Sequence, residues 1–188
     1  MKTKDKIIYE SLKLFAQKGF DAVSVRAIAN EVGIENSGLY KHFSSKQAIL
    51  DEIIRVCKKR FIYQCAKIQN EITETITDLK EMTLGIFEFQ ITDEWIVAFR
   101  QIVMLEQYKN PAMASLYKSC FIDLPLQAQK NIFNQLIEKK VLTYEDDIEI
   151  MALELYAPFF LYYSVSLSLD DIKPILQRHV DTFFEKYF

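Results

Sequence analysis

Two short helix patterns separated by one glycine occupy residues 24–43, and they constrain the fold more than any other stretch. Ser24 is suited to cap a helix, because its hydroxyl can accept from a free backbone N–H. The apolar residues after it repeat on one helix face, at Val25, Ile28, Ala29 and Val32. Gly33 then ends the pattern, since glycine readily takes the left-handed conformation found at helix ends. Leu39 and Phe43 lie four residues apart, so a second short helix follows the turn.

The rest of the chain also has the periodicity of helices. Only 4 glycines and 4 prolines occur in 188 residues, which is poor material for a turn-rich sheet. Besides the two short helices, apolar periodicity and capping residues predict helices near 3–18, 46–70, 73–90, 93–108, 111–139, 145–166 and 171–187. Together these patterns predict an all-α fold of about nine helices.

Local signals refine several helix boundaries. Ser44 and Gln47 have the spacing of a capping box, which predicts the start of the fourth helix. Asp171 predicts the start of the last helix, because acids are favoured at helix N-termini. Pro125 and Pro158 fall inside predicted helices, and we expect each to kink or break its helix because proline lacks a backbone N–H.

Charge is distributed unevenly along the chain. Residues 1–60 hold 12 Lys and Arg against 7 Asp and Glu, whereas the remaining residues hold 11 against 19. A basic N-terminal part on an acidic body suggests that only the N-terminal part meets a polyanion. A helix-turn-helix lays its second helix in the DNA major groove, so DNA is the polyanion that this pattern predicts.

The second short helix must both pack on its neighbours and contact DNA. Leu39 and Phe43 are expected to point inward, whereas Tyr40, Lys41 and His42 are left for phosphates and base edges. This interleaving explains why two aromatics, a lysine and a histidine are crowded into one turn.

The stretch GFDAVSVRAIANEVGIENSGLYKHFSSKQAIL, residues 19–50, resembles the TetR family of bacterial transcription regulators. The family pattern runs Gly-Phe, a Ser or Thr cap, Arg-x-Ile-Ala, Gly-Val and Leu-Tyr-x-His-Phe, then two residues and Lys. Together with the outward face, the resemblance implies these DNA contacts: Ser24, Arg26, Asn36, Ser37, Gly38, Tyr40, Lys41, His42 and Lys46. Arginine can pair with guanine and asparagine with adenine, while hydroxyls and lysines suit phosphates.

Two residues depart from the family pattern. Glu35 stands where many members have serine, and an acid near DNA is repelled unless it caps the helix or accepts from cytosine N4. Gly38 stands where threonine, serine or alanine is common. The operator sequence therefore does not follow from the family pattern.

The resemblance also implies a division of the chain by function. We predict a helix-turn-helix DNA-binding domain over residues 1–46 and an effector-binding and dimerisation domain over 47–188, with helix four, about 46–70, connecting them. The expected function is a transcriptional repressor that binds a palindromic operator in double-stranded DNA as a homodimer. A small-molecule effector is expected to release it.

The body is rich in aromatic residues, and the resemblance implies a small-molecule cavity there. We expect the cavity to be lined by some of the following: Phe61, Phe87, Trp95, Phe99, Tyr108, Tyr117, Phe121, Tyr156 and Tyr163. Such a site suits an apolar or aromatic effector. Glu88, Glu94 or Glu106 could make it suit a cation.

Two helix patterns near the C-terminus are more apolar than a monomer surface usually is. Between residues 145 and 166 the apolar residues form two stripes, one of them through Ile150, Leu153 and Ala157, so this helix needs cover on two faces. We expect both helices to pair with their copies in a four-helix bundle, as the family does. The predicted interface residues are Ile148, Met151, Leu155, Phe159, Ile175, Leu176, His179, Val180 and Phe183.

Other functional classes have weaker support. The chain has no HExxH, nucleophile elbow, Gly-rich phosphate loop or His/Cys cluster, so we expect no enzyme, metal or cofactor. An all-helical ligand carrier or protein-interaction adaptor without specific DNA binding is the alternative function. No apolar stretch approaches the roughly 20 residues that span a bilayer, so we expect a cytoplasmic protein.

Overall fold

The computed structural model describes residues 2–70, 75–142, 147–163 and 168–188. Its α-helices are α1 Thr3–Lys18, α2 Val25–Val32, α3 Asn36–Tyr40, α4 Lys46–Asn70, α5 Ile76–Thr92, α6 Glu94–Glu106, α7 Pro111–Lys118, α8 Leu124–Glu138, α9 Ile148–Tyr163 and α10 Leu169–Tyr187. A π-helical turn, Ser119–Asp123, joins α7 to α8 without a break. Within the described residues the chain therefore forms nine continuous helical segments and no strand, and the predicted all-α class is confirmed.

The first two helices end where the sequence predicts. Gly19 follows α1, and its N–H donates to the carbonyl of Phe15 at 2.9 Å. Ser24 caps α2, because its Oγ accepts from the N–H of Ala27 at 3.1 Å. Gly33 terminates α2 in the left-handed conformation.

The predicted bounds of α4, about 46–70, are confirmed, but its predicted capping residue is wrong by one. Ser45, not Ser44, caps this helix, because the Oγ of Ser45 accepts from the N–H of Ala48 at 3.0 Å. Gln47 does not complete a capping box, since its side-chain amide donates to Asp51 one turn further along. Either serine satisfies the local preference for a capping hydroxyl, so the sequence alone does not distinguish them.

The predicted start of α10 is also wrong. The helix begins at Leu169, because the Oγ of Ser168 accepts from the N–H of Asp171 at 3.2 Å. Asp171 lies within the first turn, where its charge still favours the helix N-terminus. The predicted helix ends at 73–74, 145–146 and 164–166 lie outside the described residues.

The chain forms two compact units, each with its own core. Unit 1 comprises Met1–Ile62 and Glu94–Tyr117, and unit 2 comprises Tyr63–Asp93 and Lys118–Phe188. Unit 1 therefore contains α1, α2, α3, the first part of α4, α6 and α7. Its fully buried large side chains include Ile7, Leu12, Phe15, Ile28, Leu39, Ile49, Ile53, Ile96, Phe99 and Ile102. The functional boundary proposed at residue 46 stays a prediction.

The π-helical turn lies where Pro125 removes a backbone donor. In an α-helix the N–H of residue 125 would bond to the carbonyl of Phe121, but proline has no N–H and its ring crowds that carbonyl. The chain widens into a π-turn instead, and the buried hydroxyl of Tyr156 donates to the Phe121 carbonyl at 2.6 Å. In place of the predicted kink or break, the residues before Pro125 form this π-turn and the helix continues into α8. No break occurs at Pro158, because α9 continues through it.

Replacing Tyr156 by phenylalanine should destabilise the protein by about 1–3 kcal/mol, because the buried hydrogen bond from its hydroxyl to the Phe121 carbonyl is lost. Urea unfolding followed by circular dichroism measures this change. In a Pro125→Ala background a backbone N–H returns to the position four residues after Phe121, so the same substitution should cost less there. An equal cost in both backgrounds would show that proline is not the reason for the tyrosine bond.

Candidate DNA-binding site

The turn between α2 and α3 has the geometry of a glycine-ended helix. Gly33 has φ 77° and ψ 37°, a conformation that disfavours side chains larger than hydrogen. The N–H of Gly33 donates to Asn30 at 3.1 Å, and the N–H of Ile34 donates to Ala29 at 2.9 Å. These bonds occupy the last carbonyls of α2 and set the direction in which α3 leaves.

Apolar residues fasten α3 to unit 1. Leu39 is fully buried and Phe43 is 6% exposed, as the sequence predicts. The carbonyl of Leu39 accepts from the N–H groups of His42 and Phe43 at 2.9 and 3.0 Å, so the turn after α3 is also fixed. These residues therefore hold α3 and the turn after it within unit 1.

Polar side chains of α3 and of the turn after it are open to solvent. Asn36, Ser37, Lys41 and His42 are exposed, and Tyr40 is 54% exposed. A tyrosine with half of its surface in water, beside a lysine and a histidine, forms a surface suited to phosphates and base edges. We call these five residues the α3 surface.

The two residues that depart from the family pattern have local explanations. Glu35 is the N-cap residue of α3, where a negative charge is favoured, and its carboxylate accepts from the Ser37 hydroxyl at 3.3 Å. Gly38 is half-buried, and a Cβ there would lie 3.8 Å from the Cβ of Ile34, an ordinary contact distance. Space alone therefore does not require glycine at this position.

The predicted contacts on α2 are open to solvent. Ser24 and Arg26 are both exposed at the start of that helix. The Oγ of Ser24 accepts from a backbone N–H, which leaves its own hydroxyl proton for an outside acceptor such as a phosphate. Both residues lie in the same compact unit as the α3 surface.

Lys46 differs from the other predicted contacts, because its amine bonds within the protein. It donates to the carbonyls of Phe20 at 2.7 Å and Val23 at 2.9 Å, with a longer contact of 3.4 Å to Asp21. The amine also lies 4.3 Å from the centre of the Phe20 ring, within the range of a cation–π interaction. In this structure Lys46 holds the α1–α2 turn, which we define as residues 19–23.

Two further lysines support the helix-turn-helix, and sequence patterns did not single them out. The amine of Lys6 donates to the carbonyl of Val32 at 2.8 Å, which places a positive charge at the C-terminal end of α2. Lys4 lies 3.5 Å from the carboxylate of Glu52, which also forms a two-point pair with Arg55. The contact between Lys4 and Glu52 links the start of α1 to α4.

Replacing Glu52 by glutamine should destabilise the protein in a pH-dependent way. Hydrogen bonds from Arg55, with smaller effects of the charges on Arg55 and Lys4, lower the pKa of Glu52 from 4.5 to about 2. Because the pKa is lower in the folded state, the stabilisation is present above about pH 4.5 and is lost as the pH falls through about 2. We expect a loss of about 1 kcal/mol at neutral pH.

Urea unfolding of the wild type and the Glu52→Gln variant across this pH range tests the prediction. The two stabilities should converge as the solution becomes acidic. A difference that stays constant from neutral pH down to the acid end would contradict the role assigned to the carboxylate charge.

Known proteins resemble this chain in sequence. Residues 7–53 match the family model of bacterial regulatory proteins, tetR family. The chain is also 28% identical over 163 residues to IcaR of Staphylococcus aureus strain Newman, a negative transcriptional regulator of the biofilm operon icaADBC. That match covers 87% of this chain and 85% of IcaR. The predicted resemblance to the TetR family is confirmed.

Solved structures of other proteins share this fold. A transcriptional regulator from Aquifex aeolicus VF5 superposes with a TM-score of 0.74 at 18% identity, covering 96% of this chain and 99% of that one. GusR of Salmonella enterica superposes with a TM-score of 0.69 at 22% identity, covering 97% and 95%. TetR-family proteins are regulators rather than enzymes.

The described part of the chain lacks two features of other protein classes. It contains no group of three or more His, Cys, Asp or Glu side chains that could hold a metal ion. None of its helices combines the length and the apolar character needed to cross a bilayer.

The aromatic residues predicted to line a TetR-type effector cavity fall into two groups. Unit 2 brings together Phe87, Tyr156 and Tyr163, with ring centres 5.4 Å apart for Phe87 and Tyr163 and 6.2 Å for the two tyrosines. Phe121 joins this group through its carbonyl bond to Tyr156. The other predicted residues belong to unit 1: Phe61, Trp95, Phe99, Tyr108 and Tyr117.

One aromatic residue of the unit 1 group is exposed to solvent, unlike the others. Phe61, Phe99 and Tyr117 are buried, and Trp95 is half-buried with its ring 5.7 Å from that of Tyr9. Tyr108, in contrast, is 89% exposed. Its ring is thus in water rather than beside the buried aromatics.

The three acids suggested for a cationic effector all bond within the protein. Glu88 pairs with Lys173 at 3.1 Å, and Glu94 accepts from the Tyr9 hydroxyl at 2.9 Å. Glu106 accepts from the N–H of Phe20 at 3.1 Å. These contacts give each carboxylate a role in the folded chain without an effector.

Most residues predicted for the dimer interface lie in the core of unit 2 within a single chain. Six of them are at most 4% exposed: Met151, Leu155, Phe159, Leu176, Val180 and Phe183. His179 is half-buried, with its Nε2 3.1 Å from the Leu155 carbonyl and its ring against Phe159. A carbonyl only accepts, so Nε2 carries the proton. Ile148 is half-buried, and Ile175 is 43% exposed.

The exposed apolar residues of α9 lie on its other stripe. Ile150 is 49% exposed, Leu153 50% and Leu161 63%, and Ala157 between them is also exposed. Spacings of three and four residues place them on one face of the helix. We call Ile150, Leu153, Ala157 and Leu161 the outer stripe of α9. A second copy of the chain could cover this stripe. It could bury little more of the six core side chains, because they are already buried within their own chain.

Proposed function

We propose that the chain is a homodimeric repressor that binds a pseudo-palindromic operator in double-stranded DNA and is released by a small apolar or aromatic effector. The observation that carries the proposal is the α3 surface, which presents polar side chains outward from a short helix fixed by Leu39 and Phe43. The family places such helices in transcriptional regulators. As a regulator of bacterial genes it would act in the cytoplasm.

We assign the DNA contacts by chemistry. Arg26 and Asn36 would contact base edges, because their side chains pair in bidentate fashion with guanine and adenine. Ser24, Tyr40 and Lys41 would contact phosphates, together with Ser37 and His42. Gly38 would allow close approach of the backbone. Lys46 would act in this scheme by holding the α1–α2 turn through the carbonyls it already binds.

The dimer gives the operator its symmetry. TetR-family regulators bind DNA and effectors as dimers. We propose that the outer stripe of α9, with Ile175 of α10, is the face that meets the second copy. A two-fold dimer presents one α3 surface to each half-site, with the half-sites about one helical turn apart or slightly more.

The effector would act by a shift between two conformations. It must bind better to the form that has low DNA affinity, and complete reversal of a 99:1 population takes a difference of about 5.5 kcal/mol. The aromatic group of Phe87, Tyr156 and Tyr163 supports an apolar or aromatic ligand. The negative sign of regulation is supported by IcaR, which is a negative transcriptional regulator. The effector domain would extend over residues 47–188.

Selection from random double-stranded DNA tests the DNA-binding part of this proposal. The purified chain should enrich an inverted repeat that binds with a Kd of about 10 nM or lower. Apolar compounds can then be screened for release of that duplex and for a raised melting temperature. Enrichment of a sequence without two-fold symmetry would contradict the symmetric dimer, and compounds that bind without releasing DNA would contradict the effector mechanism.

A further inference from the structure

Glu106 occupies a position that is chemically unfavourable for a carboxylate. It is the last residue of α6 and is only 6% exposed. Burial removes the charge from water, which costs free energy unless other groups compensate. The C-terminal end of a helix also carries a partial negative charge, so an acid is disfavoured there. Positions that break such local rules are often functional.

The carboxylate is directed at the turn that leads into the DNA-contacting helices. Its Oε1 accepts from the backbone N–H of Phe20 at 3.1 Å. Gly19 has φ 78°, and a Cβ there would lie only 3.5 Å from the same oxygen. The backbone of the α1–α2 turn therefore passes directly against Glu106, 86 residues away along the chain.

Lys46 binds the same turn through its backbone carbonyl groups. Its amine donates to the carbonyls of Phe20 and Val23, while Glu106 accepts the N–H of Phe20. An acid on α6 and a base on α4 thus fix both the donor and the acceptors of this segment. Ser24, the N-cap of α2 and a proposed phosphate contact, follows the turn directly.

We infer that Glu106 is a positioning residue for DNA binding. By fixing the N–H of Phe20 it holds the α1–α2 turn in the geometry that α2 needs on the operator. The turn then loses no conformational freedom when DNA binds, and such preorganisation increases affinity. This inference rests on the proposed DNA contacts of α2 and assigns a further residue to the same function.

Three substitutions separate this role from a general contribution to folding. Glu106→Leu removes the acceptor, whereas Glu106→Gln keeps an oxygen that can accept from Phe20 without the charge. Glu94→Leu is the matched control, because Glu94 is at the other end of α6 and accepts from Tyr9 on α1, away from the turn. All three are measured on the full chain, below their melting temperatures, with the folded fraction checked by circular dichroism.

Binding is measured by fluorescence anisotropy on the duplex recovered by selection. We expect Glu106→Leu to bind about tenfold more weakly, and Glu106→Gln and Glu94→Leu to stay within about twofold of the wild type. The dependence of the Kd on salt should be unchanged in Glu106→Leu, because Glu106 neutralises no phosphate. The Phe20 amide should exchange slowly with solvent in the wild type and in Glu106→Gln, and faster in Glu106→Leu.

The outcomes separate this inference from the proposed function. Wild-type binding with an equal affinity in Glu106→Leu would overturn the inference alone. Absence of binding by the wild type to any duplex would overturn the proposed function and the inference with it. If Glu106→Leu does not fold, the wild-type Phe20 amide decides the question, because fast exchange at that amide would show that the carboxylate does not hold the turn.

Discussion

Replacing Tyr40 by alanine is expected to weaken operator binding strongly while the fold stays intact. Tyr40 is 54% exposed on α3, whereas the neighbouring Leu39 is fully buried and supports the helix. A hydrogen bond to a charged phosphate contributes about 1.5–3 kcal/mol, so the Kd should rise roughly tenfold to a hundredfold. Anisotropy titration measures the affinity, and thermal unfolding measures the stability.

The matched control is Tyr63→Ala. Tyr63 is also an exposed tyrosine on a helix, at 69% exposure on α4, but it lies outside the compact unit that contains α3. This variant should bind the operator as the wild type does. Equal loss of affinity in both variants would contradict a direct contact by Tyr40, as would normal binding by Tyr40→Ala.

A glutamate in the outer stripe of α9 is expected to have the largest effect on assembly. Leu153 is 50% exposed, and in the proposed dimer it is covered by the second copy. Leu153→Glu would bury a charge there, which costs several kcal/mol without a partner. The protein should become monomeric at micromolar concentration, and operator affinity should fall by about a hundredfold because two half-sites are no longer bound together.

Leu105→Glu is the matched control, because Leu105 and Leu153 have nearly the same exposed fraction. Leu105 is 48% exposed on α6 and lies outside the outer stripe. Equilibrium sedimentation should find this variant dimeric and Leu153→Glu monomeric. A wild type that sediments as a monomer would refute the dimer, and a dimeric Leu153→Glu would show that another face is used.

Local signals were enough to predict the helices of the DNA-binding part. Ser24 and Gly33 mark the two ends of α2, and both act as predicted because a cap and a left-handed glycine depend only on neighbouring residues. The burial of Leu39 and Phe43 followed from their spacing. The serine that caps α4 was not predictable in this way, since Ser44 and Ser45 offer the same capping hydroxyl and the structure uses Ser45.

Contacts between residues far apart in the chain could not be predicted from the sequence. Nothing near Lys46 indicates that its amine bonds to carbonyls 23 to 26 residues away, and nothing near Glu106 indicates its bond to Phe20. The two apolar stripes of α9 were visible, but the pattern did not show which of them faces the core. Packing of α8 and α10 against α9 decides this, and it places Leu155 inside and Leu153 outside.

The most direct test of the account is titration of the selected duplex and a scrambled duplex at two salt concentrations. We expect the selected duplex to bind at least about a thousandfold more tightly than the scrambled one, with two chains per duplex. Between about 50 and 200 mM salt, affinity should fall by roughly 10³-fold or more if about six phosphates are contacted. Equal affinity for both duplexes, or no binding even at the lower salt, would contradict the assignment of the α3 surface as a sequence-specific DNA-binding site.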